Sequence, residues 1–112
     1  MKKIEAIIRP FKMEHVQEAL DLCELHGFTI TEVKGLGKQK GNPEIFRGQE
    51  YTSQFVPKFK VELVLSDAKC AEAVAAIIAA AKTGKIGDGK IFVSKIDEAI
   101  RIRTEETGDA AV

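Results

Sequence analysis

Residues 58–95 read KFKVELVLSDAKCAEAVAAIIAAAKTGKIGDGKIFVSK, and this stretch decides the fold. Its opening, KFKVELVL, alternates, with Phe59, Val61, Leu63 and Leu65 on one side, which is the period of a half-buried strand. Ser66 or Asp67 can cap the helix that follows, where Ala71, Val74, Ala75, Ile78 and Ala81 recur at helical spacing as the expected buried face. TGKIGDGK (83–90) then interrupts the pattern as a glycine-rich loop, and residues 91–95 return to a strand. The order is strand, helix, strand.

Upstream the same order is found. Ile4, Ala6 and Ile8 alternate with Glu5, Ile7 and Arg9, and Pro10 closes the strand because proline cannot donate to a ladder. Over 12–25 the period becomes helical through Val16, Ala19, Leu20 and Cys23, with Gly27 placed to serve as a left-handed C-terminal cap. FTITEVKGL (28–36), rich in β-branched residues, reads as the second strand. Between the halves lies GKQKGNPEIFRGQEYTSQFVP (37–57), with three glycines and two prolines, a loop of a length that is uncommon and usually functional. A short strand is expected around 100–103, and TEETGDAAV (104–112) reads as a polar, frayed tail.

The pattern predicts one α+β domain over 1–112, a ferredoxin-like split βαβ (βαβ, long protruding loop, βαβ) with right-handed crossovers and both helices on one sheet face. The other face would carry Glu5, Ile7, Arg9, Lys60, Glu62, Val64, Phe92 and Ser94. That mixture is too apolar for open water and too charged for a dry core, so it predicts packing against other subunits in a homo-oligomer.

Composition bounds the partners. The 112 residues are 45% hydrophobic and 30% charged, as in an ordinary globular domain. Seventeen basic residues balance seventeen acidic ones, so no net charge exists to draw nucleic acid or an anionic membrane surface. Cys23 and Cys70 lack CxxC spacing and read as free thiols of a reducing compartment. MKKIEAIIRP is neither a signal peptide nor a membrane span, which needs about 18 apolar residues, so a cytoplasmic location is expected.

Within the glycine-rich segment (82–90), Gly84, Gly89 and Lys90 match the start of a GxxxxGK pattern, but Ile91 stands where Ser or Thr would hold magnesium. The context is also reversed, since here a helix leads into a strand. The chemistry survives the failed motif. Gly84, Gly87 and Gly89 can adopt φ > 0 and aim N–H groups at an anion, with Lys85 and Lys90 alongside. Arg101 and Arg103 alternate with Ile102 and would face one side of an extended segment, where their forks suit phosphate oxygens. The glycines alone read equally well as a plain turn; the two features so close together in a neutral chain point to phosphate binding.

At these residues the sequence closely resembles the PII family of nitrogen-regulatory signal proteins, from about residue 1 to 108. The resemblance is carried by KGLGKQKG (34–41), FRGQEY (46–51), PKFKVELV (57–64), TGKIGDGKIFVS (83–94) and RIRT (101–104), all in order. It implies a non-catalytic regulator of nitrogen and carbon metabolism: a homotrimer that binds ATP or ADP between subunits and, with Mg²⁺ATP, the effector 2-oxoglutarate. By the same resemblance Gly35, Gly37 and Val64 would line the adenine pocket, with Thr29 and Glu62 at base or ribose. Gly87, Asp88, Gly89 and Lys90 would meet the phosphates, Arg101 and Arg103 would come from another subunit, and Lys38 belongs to the same nucleotide set. Gln39 would help coordinate Mg²⁺; Gln39, Lys40, Gly41, Lys58 and Gly87 would hold 2-oxoglutarate, with Lys58 on its far carboxylate.

The resemblance also implies that the 37–57 loop is a switch reporting to an ammonium channel, a sensor kinase or glutamine-metabolism enzymes, reaching a membrane only through a protein partner. Tyr51 is the residue a uridylyltransferase would modify. Here FRGQEY departs from the usual Y-[KR]-G-x-E-Y: Phe46 replaces a tyrosine and Gln49 a small residue, and Thr52, Ser53 and Gln54 depart as well. Rival readings are a nucleotide-hydrolysing enzyme, for which no nucleophile–base pair is visible, and a variant that senses another small ligand. An RNA-recognition domain lacks stacking aromatics on KFKVELVL, and a metal-binding trimer lacks grouped ligands, since His15 and His26 are dispersed.

Overall fold

Alternation in β1 (Lys2–Ile8) sends Ile4, Ala6 and Ile8 to one side, and all three are buried. The computed structural model describes residues 1–36, 43–46, 49–52 and 55–112. From β1 the chain passes through a 3-10 turn (Pro10–Lys12) into α1 (Met13–Leu22) and β2 (Thr29–Leu36). A hairpin of β3 (Pro43–Phe46) and β4 (Gln49–Thr52) precedes β5 (Phe55–Leu65), α2 (Asp67–Ala81), β6 (Lys90–Lys95) and a terminal 3-10 turn (Gly108–Ala111).

The four-stranded sheet has the order β2-β5-β1-β6 with every neighbouring pair antiparallel. It follows that β1 runs parallel to β2 with β5 between them, and β5 parallel to β6 with β1 between them. Each helix therefore crosses over one strand, the split βαβ of the ferredoxin-like arrangement expected from the sequence. Val61, Leu63 and Leu65 of β5 join the β1 side chains under Met13, Val16 and Leu20 of α1 and Cys70, Ala73, Ile77 and Ala81 of α2. Each large side chain so buried contributes roughly 1.5–3 kcal/mol before entropy. On the far face the register aligns Glu5 with Glu62 and Phe92, and Ile7 with Lys60 and Lys90. The like charges are offset by Lys3, 2.9 Å from Glu5 and 3.5 Å from Glu62, and by Lys60, 3.1 Å from Glu62.

Five expectations need correction. The first strand of the second half begins at Phe55 and not at 58, with Pro57 inside it opposite Lys34. Pro57 is tolerated because β1 ends at Ile8, opposite Phe59, so at Pro57 a ladder exists on one side only. Residues 37–57 thus include the β3–β4 pair and the start of β5.

The buried face of α2 is Cys70, Ala73, Ile77 and Ala81, whereas Ala71, Ala75 and Ile78 are exposed. The helix is apolar almost all round, so its period alone does not choose between adjacent faces; packing on α1 and β1 does. Residues 100–103 form no strand. Ile100 bridges Thr107, and Glu105, at φ 59°, closes a turn by donating its N–H to the Arg101 carbonyl at 2.7 Å. Nor is the tail frayed: Gly108 donates to the Ala99 carbonyl and begins the last 3-10 turn.

Finally, α1 ends at Leu22, and Glu24, at φ 60°, takes the left-handed position expected of Gly27. Glu24 N–H donates to Asp21 O (2.9 Å) and Leu25 N–H to Leu20 O (2.9 Å), the paired bonds of a Schellman cap, with Leu25 packed on the core. A side chain at positive φ costs roughly 1–2 kcal/mol, partly offset in a glycine by unfolded-state entropy. Glu24→Gly is therefore expected to stabilise the chain by about 0.5 kcal/mol, read as a raised denaturant midpoint at unchanged slope; a lowered midpoint would refute the cap assignment.

Candidate functional site

The end of β1, the β2–β5 ribbon and the glycine-rich segment meet at a cleft of about 550 Å³, lined by Gly35, Lys58, Gly87, Gly89 and Lys90 among others. This volume is that of a small-molecule site, which spans roughly 300–1,000 Å³. Lys58 extends across from β5 and is only 7% exposed. Its stem lies over Gly35, where a Cβ would stand 3.3 Å from the Lys58 Cγ. Its ammonium donates to the Gly87 carbonyl at 2.5 Å. Burial pushes the Lys58 pKa down; Arg9 nearby pushes the same way and Asp88 opposes it.

The glycine-rich segment folds on itself around Asp88. That carboxylate accepts hydrogen bonds from the Thr83 N–H (2.9 Å), the Gly84 N–H (2.8 Å), the Thr83 hydroxyl and the Arg9 Nε (3.1 Å). The Thr83 hydroxyl first, then the Thr83 N–H, Arg9 and the Gly84 N–H, hold the Asp88 carboxyl far below the usual carboxylate range against the cost of burial. Arg9 also donates through Nη2 to the Ile86 carbonyl at 2.8 Å. Gly84, Gly87 and Gly89 all take positive φ, as expected, but the Gly84 N–H is committed to the Asp88 carboxylate and is not offered to an outside anion, so the expectation needs correction at that residue.

One chain brings together only part of the predicted set. Gly35, Lys58, Gly87, Gly89 and Lys90 line the cleft, with Asp88 tying the loop from behind. Thr29 is the register partner of Glu62, and Glu62 is paired with Lys3 and Lys60. Val64 and Arg101 line a separate cleft of about 790 Å³ with Leu25, His26, Lys69 and Val112. Along β5, Val64 lies roughly 20 Å from Lys58 at the rise of a strand. Arg101 is bound to Glu106 at 3.2 Å, and Arg103 sits exposed in the following turn. The two arginines are therefore not aligned along a strand.

Gly37, Lys38, Gln39, Lys40 and Gly41 lie outside the described residues; Tyr51 is in β4, opposite Glu44. Sequence reasoning missed Arg9 and Thr83, whose contacts join residues far apart in the chain, and the apolar walls Ile7, Leu36, Val56, Ile86 and Phe92. Among the described residues no group of three or more His, Cys, Asp or Glu side chains could hold a metal ion, and no helix is long and apolar enough to cross a membrane.

Fold and cleft together define a ferredoxin-like domain with a cationic, glycine-walled pocket. The family model described as nitrogen regulatory protein P-II matches residues 1–106, and the chain belongs to that family. Relatives named nitrogen regulatory protein P-II are similar over the full length of both chains: 59% identical in Mesorhizobium japonicum, 59% in Rhodospirillum rubrum and 56% in Cereibacter sphaeroides. Its role is that of a signal-transduction regulator of nitrogen metabolism.

Proposed function

We propose that the chain senses ATP or ADP and, together with Mg²⁺ATP, 2-oxoglutarate, and that it relays the bound state to partner proteins through residues 37–57. The observation that carries this reading is the cleft itself: a buried lysine and Lys90 beside a segment in which Gly87 and Gly89 take positive φ. An anion there exchanges water for fixed N–H groups and cations.

The homotrimer implied by the family resemblance would account for the division of the candidate residues. Gly35, Gly87, Gly89 and Lys90 lie at one cleft, Val64 and Arg101 at another, and neither group makes a nucleotide site alone. A neighbouring copy that sets the second group against the first completes both, and covers Ile7, Val64 and Phe92 of the far sheet face. Magnesium would take most of its oxygens from phosphates and effector, with Gln39 the one protein side chain implied, as suits a cation that keeps few protein ligands. Lys58 is suited to a dicarboxylate: a buried ammonium at the cleft wall. The partners implied are an ammonium channel, a sensor kinase or enzymes of glutamine metabolism, and Tyr51 is the candidate for uridylylation.

Titration calorimetry tests the reading. ATP should bind the wild-type protein, and 2-oxoglutarate should bind only once Mg²⁺ATP is present. Effector binding of equal strength without nucleotide defeats the proposal.

A further inference from the structure

The ligand reading above leaves Arg9 without a part, yet this side chain is only 14% exposed and makes two directed contacts with the glycine-rich segment. One fork nitrogen binds the Asp88 carboxylate at 3.1 Å, the other the Ile86 carbonyl at 2.8 Å. In a trans peptide the N–H and C=O groups oppose one another, and no peptide bond among the described residues is cis. With the Ile86 carbonyl drawn onto Arg9, the Gly87 N–H is turned away from Arg9. With the Gly87 carbonyl drawn onto Lys58, the Asp88 N–H is turned away from Lys58. Neither N–H has an acceptor among the described residues.

We propose that Arg9 is the positioning residue of the anion site: through the Ile86 carbonyl it sets the peptide plane that presents the Gly87 N–H to phosphate oxygens, while its grip on the Asp88 carboxylate holds the segment in place. Arg9 acts on the loop and does not touch the ligand. Asp88 is correspondingly a staple, its side chain committed to Thr83, Gly84 and Arg9 and only its N–H turned to an anion. Two-point contact is what a planar fork provides and an ammonium does not, so the role belongs to arginine specifically.

The inference rests on nucleotide binding as proposed above, and the test separates the two. ATP and adenosine are titrated into wild-type, Arg9→Gln and Arg9→Lys protein, and the amide shifts of Gly84, Gly87 and Gly89 are compared in the free proteins. Arg9→Gln is expected to weaken ATP about ten-fold or more, with adenosine unchanged. Arg9→Lys should fall near Arg9→Gln, and the glycine amides should move while those of Ile4, Leu20 and Ile77 do not. Wild-type affinity for ATP in Arg9→Lys would mean that Arg9 supplies charge alone, and equal loss of adenosine would mean a general disturbance of the fold; either overturns the proposal. If wild-type protein binds no ATP, the nucleotide reading fails, and the glycine shifts in Arg9→Lys still decide whether Arg9 sets the loop.

Discussion

Gly89→Ala is expected to destabilise the chain by about 3 kcal/mol or more, lowering the thermal midpoint by well over 10 °C, and to remove the proposed nucleotide binding with it. Gly89 sits at φ +92°, and a Cβ there would stand 1.7 Å from the Ile7 carbonyl oxygen and 2.7 Å from its carbon. The obstacle is backbone, so no rotamer change relieves it. Relief requires moving the glycine-rich segment or breaking the first pair of the β1–β6 ladder, Ile7 with Lys90. Either movement displaces Lys90 and the Asp88 staple. Gly84→Ala isolates the conformational part, because Gly84 has φ +86° but nothing within 4 Å of a built Cβ. It should cost only about 1 kcal/mol, the price of a side chain in the left-handed region. Equal losses in the two variants would show that the close approach to Ile7 contributes nothing.

The order of elements was legible because strand and helix periods differ and both recur. Ile4, Ala6 and Ile8, and Val61, Leu63 and Leu65, have no other sensible interior. What failed to show in the sequence failed for identifiable reasons. α2 carries alanine or isoleucine on nearly every side, so its periodicity admits two neighbouring faces, and only the contacts with α1 and β1 select Ile77 over Ile78. At the end of α1, Gly27 is the residue that propensity nominates, but Leu25 must reach Leu20 to seal the core, and that requirement forces Glu24 into positive φ. Pro57 reads as a boundary because a proline cannot donate to a ladder, but at this point the strand has a neighbour on one side alone.

The candidate site divides along the same line. Glycines and lysines within 83–90 advertise an anion-binding segment locally, and Lys58 is placed by the family resemblance. The Arg9–Asp88 contact spans 79 residues and leaves no local pattern. It depends on β1 ending beside the start of β6, a consequence of the sheet order, which only the folded chain reveals. Alternation aligns Arg101 and Arg103 in an extended segment, and the turn closed by Glu105 undoes that alignment.

Lys58→Met should weaken 2-oxoglutarate binding at least about one hundred-fold, equivalent to roughly 3 kcal/mol, while reducing ATP affinity only a few-fold. Methionine keeps most of the aliphatic stem over Gly35 and so preserves packing. It removes the ammonium that donates to the Gly87 carbonyl. Arg9 still holds the adjoining Ile86 carbonyl and Asp88, so the loop keeps its course and most of the proposed phosphate contacts. A dicarboxylate, by contrast, loses the buried cation that offsets its far charge. The pH profile of effector binding checks the same assignment. Binding needs the charged ammonium, and burial lowers the Lys58 pKa. Affinity should therefore decline as pH rises through a value below the usual lysine pKa of about 10.4, and a decline only above that value would place the titrating group elsewhere. Lys58→Met protein that binds 2-oxoglutarate as tightly as wild type would shift the effector site away from this cleft while leaving the nucleotide site standing.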